Sequence, residues 1–224
     1  MKMVGVWLAA ILVAPAFIGA GPTSQKPTKK VDAAATPSAE EAWQSLFDGK
    51  SLGQWKSTEF GGEGPVTVAN GQINLGAGAD LTGITWTGGP LPKMNYEISL
   101  EAVKTKGSDF FCGLTFPVAD SFCSLILGGW GGGIVGLSSL DGADASENET
   151  TQVMDFPENR WYKVRVRVTP TKIQAWLDDK SIVDADTTEH RIDIRSEVEL
   201  SKPLGIATWK TSAALRNIRI RRLP

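Results

Sequence analysis

Apolar and polar positions alternate most regularly from Trp161 to Val168 (WYKVRVRV). Tyr162, Val164, Val166 and Val168 fall on one side, and Lys163, Arg165 and Arg167 on the other. A period of two is that of a β-strand with one buried face in an antiparallel sheet. Thr169 to Lys172 turns the chain. Residues 173–177 return with Ile173, Ala175 and Leu177 inward, and a turn at Asp178-Asp179-Lys180 leads into a strand at 181–183. Val66–Ala69 and Gln72–Leu75 flank Asn70-Gly71, the strongest short hairpin signal. Residues 96–103, 110–116, 122–127, 134–137, 204–209 and 215–223 read as further strands. Helical periodicity is nearly absent, apart from a short turn at 39–44. Many short strands separated by Gly, Pro, Asn and Asp predict an all-β sandwich or jelly roll.

The first forty residues break this pattern. Lys2, the apolar run from Val4 to Val13 and the small residues at 14–20 predict a secretory signal peptide over 1–20. An uncleaved N-terminal anchor is the alternative. No Cys follows the run to accept a lipid. Residues 21–40 are rich in Pro, Thr, Ser, Lys and Ala and lack aromatics, which predicts a disordered linker. The folded domain is expected over 41–224, and the protein is expected to be exported to the periplasm or beyond the cell.

Charge excludes more than it identifies. The net charge is −2, so nucleic acid is not an expected partner. The run Gly128-Gly129-Trp130-Gly131-Gly132-Gly133 lacks the Lys-Ser/Thr of a phosphate loop and opens no helix. It is either a sharp bend or a close approach to a ligand with Trp130 as a stacking surface. One His in the chain makes zinc and a Ser-His-Asp triad poor expectations.

The candidate chemistry lies around the hairpin at 109–127. Phe110, Cys112, Leu114 and Phe116 are expected on its apolar side. A turn near Pro117-Val118 would set Cys112 opposite Cys123, as a buried disulfide or as two buried thiols. Acidic residues cluster in the surrounding loops. Asp109, Asp120 and Glu149 are candidate acid and base groups for glycosidic-bond cleavage. Trp130, Asn148, Trp176 and Arg165 are candidate sugar-binding residues. The polar loop 141–151 is either solvated or a weak Ca²⁺ candidate whose spacing does not match an EF-hand; otherwise no cofactor is expected. Asn148-Glu149-Thr150 also fits a glycosylation sequon. A Glu-x-Asp-x-x-Glu sandwich-glycosidase motif is not met by Arg191 to Glu197 and is rejected.

The segment from Trp43 to Trp55 (WQSLFDGKSLGQW) resembles the opening of the 3-keto-disaccharide hydrolase domain family. Asn70-Gly71, Tyr96-Glu97-Ile98, residues 161–164 (WYKV), 175–179 (AWLDD), 203–207 (PLGIA) and 215–220 (LRNIRI) follow in the family's order. The resemblance implies a concanavalin A-like, LamG-like jelly-roll β-sandwich, found mostly in exported bacterial proteins, and hydrolysis of 3-keto-glycosides. The chain is a divergent member. Residues 108–115 (SDFFCGLT) and 120–123 (DSFC) lack the Arg and Tyr-Glu common in that region of the family. The expected function is therefore cleavage of a modified sugar. The rivals are a non-catalytic carbohydrate-binding module and a cell-envelope interaction domain.

Overall fold

The computed structural model describes residues 43–224. The expected signal peptide and linker lie outside the described residues. The strands, in chain order, are β1 (Gln44–Ser45), β2 (Trp55–Ser57), β3 (Val66–Ala69), β4 (Gln72–Leu75), β5 (Leu81–Trp86), β6 (Tyr96–Lys106), β7 (Cys112–Val118) and β8 (Ser121–Gly128). They continue with β9 (Ile134–Ser138), β10 (Gln152–Val153), β11 (Trp161–Val168), β12 (Lys172–Leu177), β13 (Lys180–Asp186), β14 (Gly205–Trp209) and β15 (Ser212–Arg222). A 3₁₀ segment, Ser196–Ser201, precedes β14.

Two antiparallel sheets face each other. Sheet A has the order β13-β12-β11-β6-β15-β4-β3, with β1 added against β15; sheet B has the order β10-β9-β8-β7-β14-β5-β2. Their inner faces form the core. Across sheet B, Ile84, Ile206, Leu114, Leu125 and Leu137 pair strand to strand in one buried row. Sheet A answers with Ile98, Leu100, Val164, Val166, Ile173 and Leu215. Each such side chain contributes about 1.5–3 kcal/mol by leaving water. Phe111, Phe156 and Tyr162 add an aromatic cluster with ring centroids 5.1–5.8 Å apart.

The alternating strands form where their pattern predicts, and β11 runs over Trp161–Val168. The hairpin β7/β8 does not turn at Pro117-Val118. Its turn is Ala119-Asp120, with Ala119 in the left-handed region (φ 51°) and Val118 paired to Ser121. This register sets Cys112 opposite Leu127 and Cys123 opposite Phe116. Both thiols are therefore free and buried, and burial pushes each up to about 12. A second correction falls at the start of the hairpin. Phe111, not Phe110, enters the core, while Phe110 turns to the outer face. Strand β5 shows no alternation because all six of its residues are covered, on the inner side by core and on the outer side by other segments. Residues 44–45, at the end of the expected helical turn, are β1.

Candidate functional site

The outer face of sheet B is built from small and hydroxyl-bearing residues. Thr85, Gly205, Thr115, Ser124 and Ser138 form one row across five strands. Gly83, Ala207, Gly113, Ile126 and Gly136 form the next. Such a floor lets other segments lie directly on the backbone. A Cβ on Gly205 would meet the Ser201 carbonyl oxygen at 2.6 Å, and one on Gly136 the Ala145 carbonyl oxygen at 2.9 Å. A Cβ on Gly113 would meet the Phe110 ring at 3.0 Å. The 3₁₀ segment, the loop 141–151 and Phe110 thus rest on the floor and leave a cleft of about 230 Å³.

The cleft has an aromatic part and a charged part. Phe110, Trp130 and Trp209 line the first, with Phe110 and Trp209 at a centroid separation of 6.5 Å. Trp130 is 45% exposed. It sits in the turn between β8 and β9, where Gly128, Trp130, Gly131 and Gly132 all adopt positive φ. The glycine-rich run is what makes this backbone path accessible at low cost. Asp109 braces the turn: one carboxylate oxygen accepts the Gly131 N–H (3.0 Å) and the other its neighbour Phe110 N–H (2.7 Å).

In the charged part, Arg195 donates to Asp144 and to Glu197 (2.6 Å). Glu197 is held below the usual carboxylate range, chiefly by the hydrogen bond from Arg195. The same bond holds the Arg195 guanidinium above its ordinary value. Ser138 donates to Asp144 from the floor (3.2 Å), and Thr115 and Ser124 share a hydrogen bond of 2.8 Å.

The predicted site residues divide by place. Asp109 and Trp130 line this cleft together. Asp120 lies at the far end of the hairpin, fully exposed, in an ion pair with Lys93 (3.0 Å). Glu149 is on the loop 141–151 and faces His190 Nε2 at 3.4 Å. The three carboxylates therefore do not converge. Asn148 is a clamp within that loop rather than a group facing the cleft. Its Nδ2 donates to the carbonyls of Leu137, Ala143 and Asp144, and its Oδ1 accepts from Thr150. Arg165 and Trp176 are on the outer face of sheet A, where the guanidinium covers the indole at 3.8 Å.

Sequence reasoning does not single out Glu197, Arg195, Trp209 or Phe110 as site residues, and it places Asp144 only within the acidic loop 141–151. Glu197 and Arg195 lie in the segment 191–197 that fails the glycosidase motif, so motif matching passes over them. The signal that would find them is a polar segment directly preceding a buried strand.

Among the described residues no group of three or more His, Cys, Asp or Glu side chains is placed to hold a metal ion. None of their helices is long and apolar enough to cross a membrane.

Residues 83–221 match the 3-keto-alpha-glucoside-1,2-lyase-like domain. The chain belongs to that family. The match begins within β5, after the opening segment 43–55, and includes every strand that contributes to the cleft except the first two residues of β5. This is a carbohydrate-active family. No protein of curated function matches the chain by sequence.

Solved structures add the fold. The Crh5 transglycosylase in complex with NAG is similar over 82% of this chain and 85% of that one, at 11% identity and TM-score 0.58. SCLam, a non-specific endo-beta-1,3(4)-glucanase from family GH16, is similar over 85% and 94%, at 9% identity and TM-score 0.54. The carbohydrate binding module CBM66 from Bacillus subtilis is similar over 75% and 95%, at 12% identity and TM-score 0.52. These identities carry the jelly-roll architecture alone.

Proposed function

We propose that the cleft on sheet B binds a sugar and cleaves the glycosidic bond of a 3-keto-glycoside by elimination, with Glu197 as the base. One observation carries this reading: an ionised carboxylate paired to a guanidinium in a cleft walled by indoles. A ketone at C3 acidifies the hydrogen on C2. Glu197 takes that proton, and the C–H electron pair becomes an enolate opposite Arg195. The pair then forms the C1–C2 double bond as the C1–O bond breaks, and its electrons leave with the aglycone oxygen, which takes up the proton now on Glu197 and so restores the carboxylate. Later addition of water to the double bond completes a net hydrolysis. A general acid has to hold its proton near neutral pH. Glu197 is held ionised, so it has a lone pair with which to accept a proton, while the lowered value makes it a weaker base than one poised near neutral pH. Trp130 and Trp209 offer flat surfaces to the C–H faces of the sugar.

The test is turnover of a 3-keto-α-glucoside by purified protein. Glu197→Gln is expected to lower kcat by about a hundredfold or more with KM little changed, the scale of a lost general base. The wild type is expected to exchange the C2 hydrogen with solvent deuterium. Turnover that survives Glu197→Gln sinks the assignment.

A second reading, a non-catalytic sugar-binding module, is favoured by the commitment of both Asp109 oxygens to backbone N–H groups. Sugar binding without turnover, weakened by Trp130→Ala, would select it. We place either activity outside the cytoplasm of a bacterium, on the strength of residues 1–20. Sequencing the N-terminus of the mature protein checks this, with a start near residue 21 expected.

A further inference from the structure

The outer face of sheet A carries a construction that the cleft does not use. Arg165 and Arg167 on β11 and Arg221 on β15 converge on Glu97 of β6, at 3.0, 2.7 and 2.7 Å. Along β6, Glu101 accepts from Arg216 (2.8 Å) and Asn217 (2.7 Å). Asn217 has φ 53° and sits in a register shift between Arg216 and Arg219. That irregularity turns both arginines to the outer face, so Arg219 lies beside Ser99. Five guanidiniums (Arg165, Arg167, Arg216, Arg219, Arg221) therefore meet two carboxylates (Glu97, Glu101) on this face. The part of the face on β6, β11 and β15 is cationic although the chain as a whole is at −2, while β13 brings Asp184 and Asp186 to the same side farther out.

Arg219 is the member left over. Its Nε is buried and has no hydrogen-bond partner, and among the described residues no carboxylate lies within ion-pair distance of it, although its charge reaches Glu101 and helps to lower that carboxyl. Its guanidinium leans on the Trp43 indole at 4.8 Å, which fixes its orientation. It lines a depression of about 460 Å³ together with Trp43, Ser45, Ser99, Glu101, Lys163 and Asn217, and the Glu101 carboxylate there is already engaged by Arg216 and Asn217. A desolvated guanidinium N–H without an acceptor is costly. A ligand would meet the terminal guanidinium nitrogens, which are not buried and have no hydrogen-bond partner among the described residues, and their planar fork matches a carboxylate or sulfate.

We propose that this depression binds the anionic group of an acidic sugar, a carboxylate or a sulfate, with Arg219 as its main partner. Lys163, which also pairs with Asp179 at 3.3 Å, adds charge at the rim, and the Ser99 hydroxyl and the Ser45 oxygen, whose hydrogen goes to the Phe47 carbonyl, offer hydrogen bonds to sugar hydroxyls. A lipid surface fits poorly. The exposed large apolar residues Trp130, Val153 and Leu200 belong to sheet B or to segments beside it. The protein would then hold an acidic glycan on one face while the cleft works on the other.

The experiment is retardation of the full chain in native gels containing polygalacturonate, dextran sulfate or neutral dextran, repeated with a DNA oligonucleotide and with vesicles of anionic phospholipid. Retardation by polygalacturonate or dextran sulfate but not by dextran is expected, and the stronger of the two tells carboxylate from sulfate. Arg219→Met is expected to weaken binding about tenfold, and Lys163→Met, at an exposed position, about threefold. Glu197→Gln is expected to leave it unchanged, which separates this site from the cleft. Thermal unfolding verifies that each variant is folded. The proposal is overturned by equal retardation in dextran, by tighter binding of DNA or vesicles, or by acidic-glycan binding that survives both Arg219→Met and Lys163→Met. If Arg219→Met does not fold, Lys163→Met alone decides.

Discussion

Sheet A turns arginines and carboxylates outward, and their long side chains fill the face themselves. Sheet B turns mostly glycines, alanine and short hydroxyls outward, with Leu81, Ile126 and Trp209 among them at the cleft, and other segments of the chain cover much of that face. The first solution gives a surface held by charge, with little room for a neighbour except at the depression beside Arg219. The second gives a floor on which loops build a walled cleft. A sandwich has two outer faces, and here side-chain size decides whether a face is covered by its own side chains or by other segments of the chain.

The largest effect is expected on removing the charge at the centre of sheet A. Burial alone would raise the Glu97 carboxyl, but hydrogen bonds from Arg167 and Arg221 outweigh it and hold it below the usual range. Glu97→Ala leaves three guanidiniums without their shared carboxylate. A loss of about 3–5 kcal/mol is expected in urea unfolding. The sign for pH follows from the lowered value. The stabilisation is complete above the unfolded value of about 4.3. It is lost as pH falls through the lower folded value, so acid unfolding should begin in the wild type where Glu97 titrates.

On sheet B the equivalent break is steric. Gly205→Val drives a side chain against the Ser201 carbonyl, whose oxygen lies 2.6 Å from where the new Cβ would stand. A cost of about 1–3 kcal/mol is expected, together with loss of sugar binding as the 3₁₀ segment carrying Glu197 is displaced. If stability falls while binding is kept, the floor does not position the wall.

Trp130→Ala separates site from scaffold. The indole is nearly half exposed, so stability should change by no more than about 0.5 kcal/mol. Sugar affinity should fall about tenfold, the loss expected of one stacking aromatic, worth about 1–3 kcal/mol on a flat ring. Calorimetric titration reads both the affinity and the stoichiometry.

The smallest effect is expected at the loop 141–151, which lies on the floor beside the cleft. His190 Nδ1 lies 2.6 Å from Asp141 and its Nε2 3.4 Å from Glu149. The hydrogen bond to Asp141, then the charges of Glu149, Asp141 and Asp186, hold the imidazole above its ordinary value against some desolvation. A raised folded value means that the contribution is complete below the unfolded value of about 6.5. It is lost as pH rises through the folded one. NMR titration of His190 should show the raised value, and Glu149→Gln should lower it. Proteolysis within 141–151 should quicken as pH rises through that range.

The fold is legible in the sequence where one face of a strand is wet. Polar and apolar positions alternate in β3, β4 and β11, and that bounds these strands to the residue. Strand β5 escapes because both its faces are covered and its pattern is uniform. Asp109 and Trp130 stand out as an unusual glycine run beside a carboxylate. Glu197, Arg195 and Trp209 join them only through pairing between strands far apart in the chain, as when Trp209 meets Leu81 across β14 and β5. No local pattern encodes that distance. Extending the alternation of β7 back past Cys112 puts Phe110 in the core, one residue too far. The irregularity at Phe111 reverses it.

The register of β7 and β8 keeps Cys112 and Cys123 on different neighbours, each protonated and closed off from water. The same native state is therefore available on either side of a membrane, in reducing or oxidising surroundings. A thiol reagent added to the folded protein will report only the moments when the two sheets part, so the rate of labelling is a built-in clock for global opening.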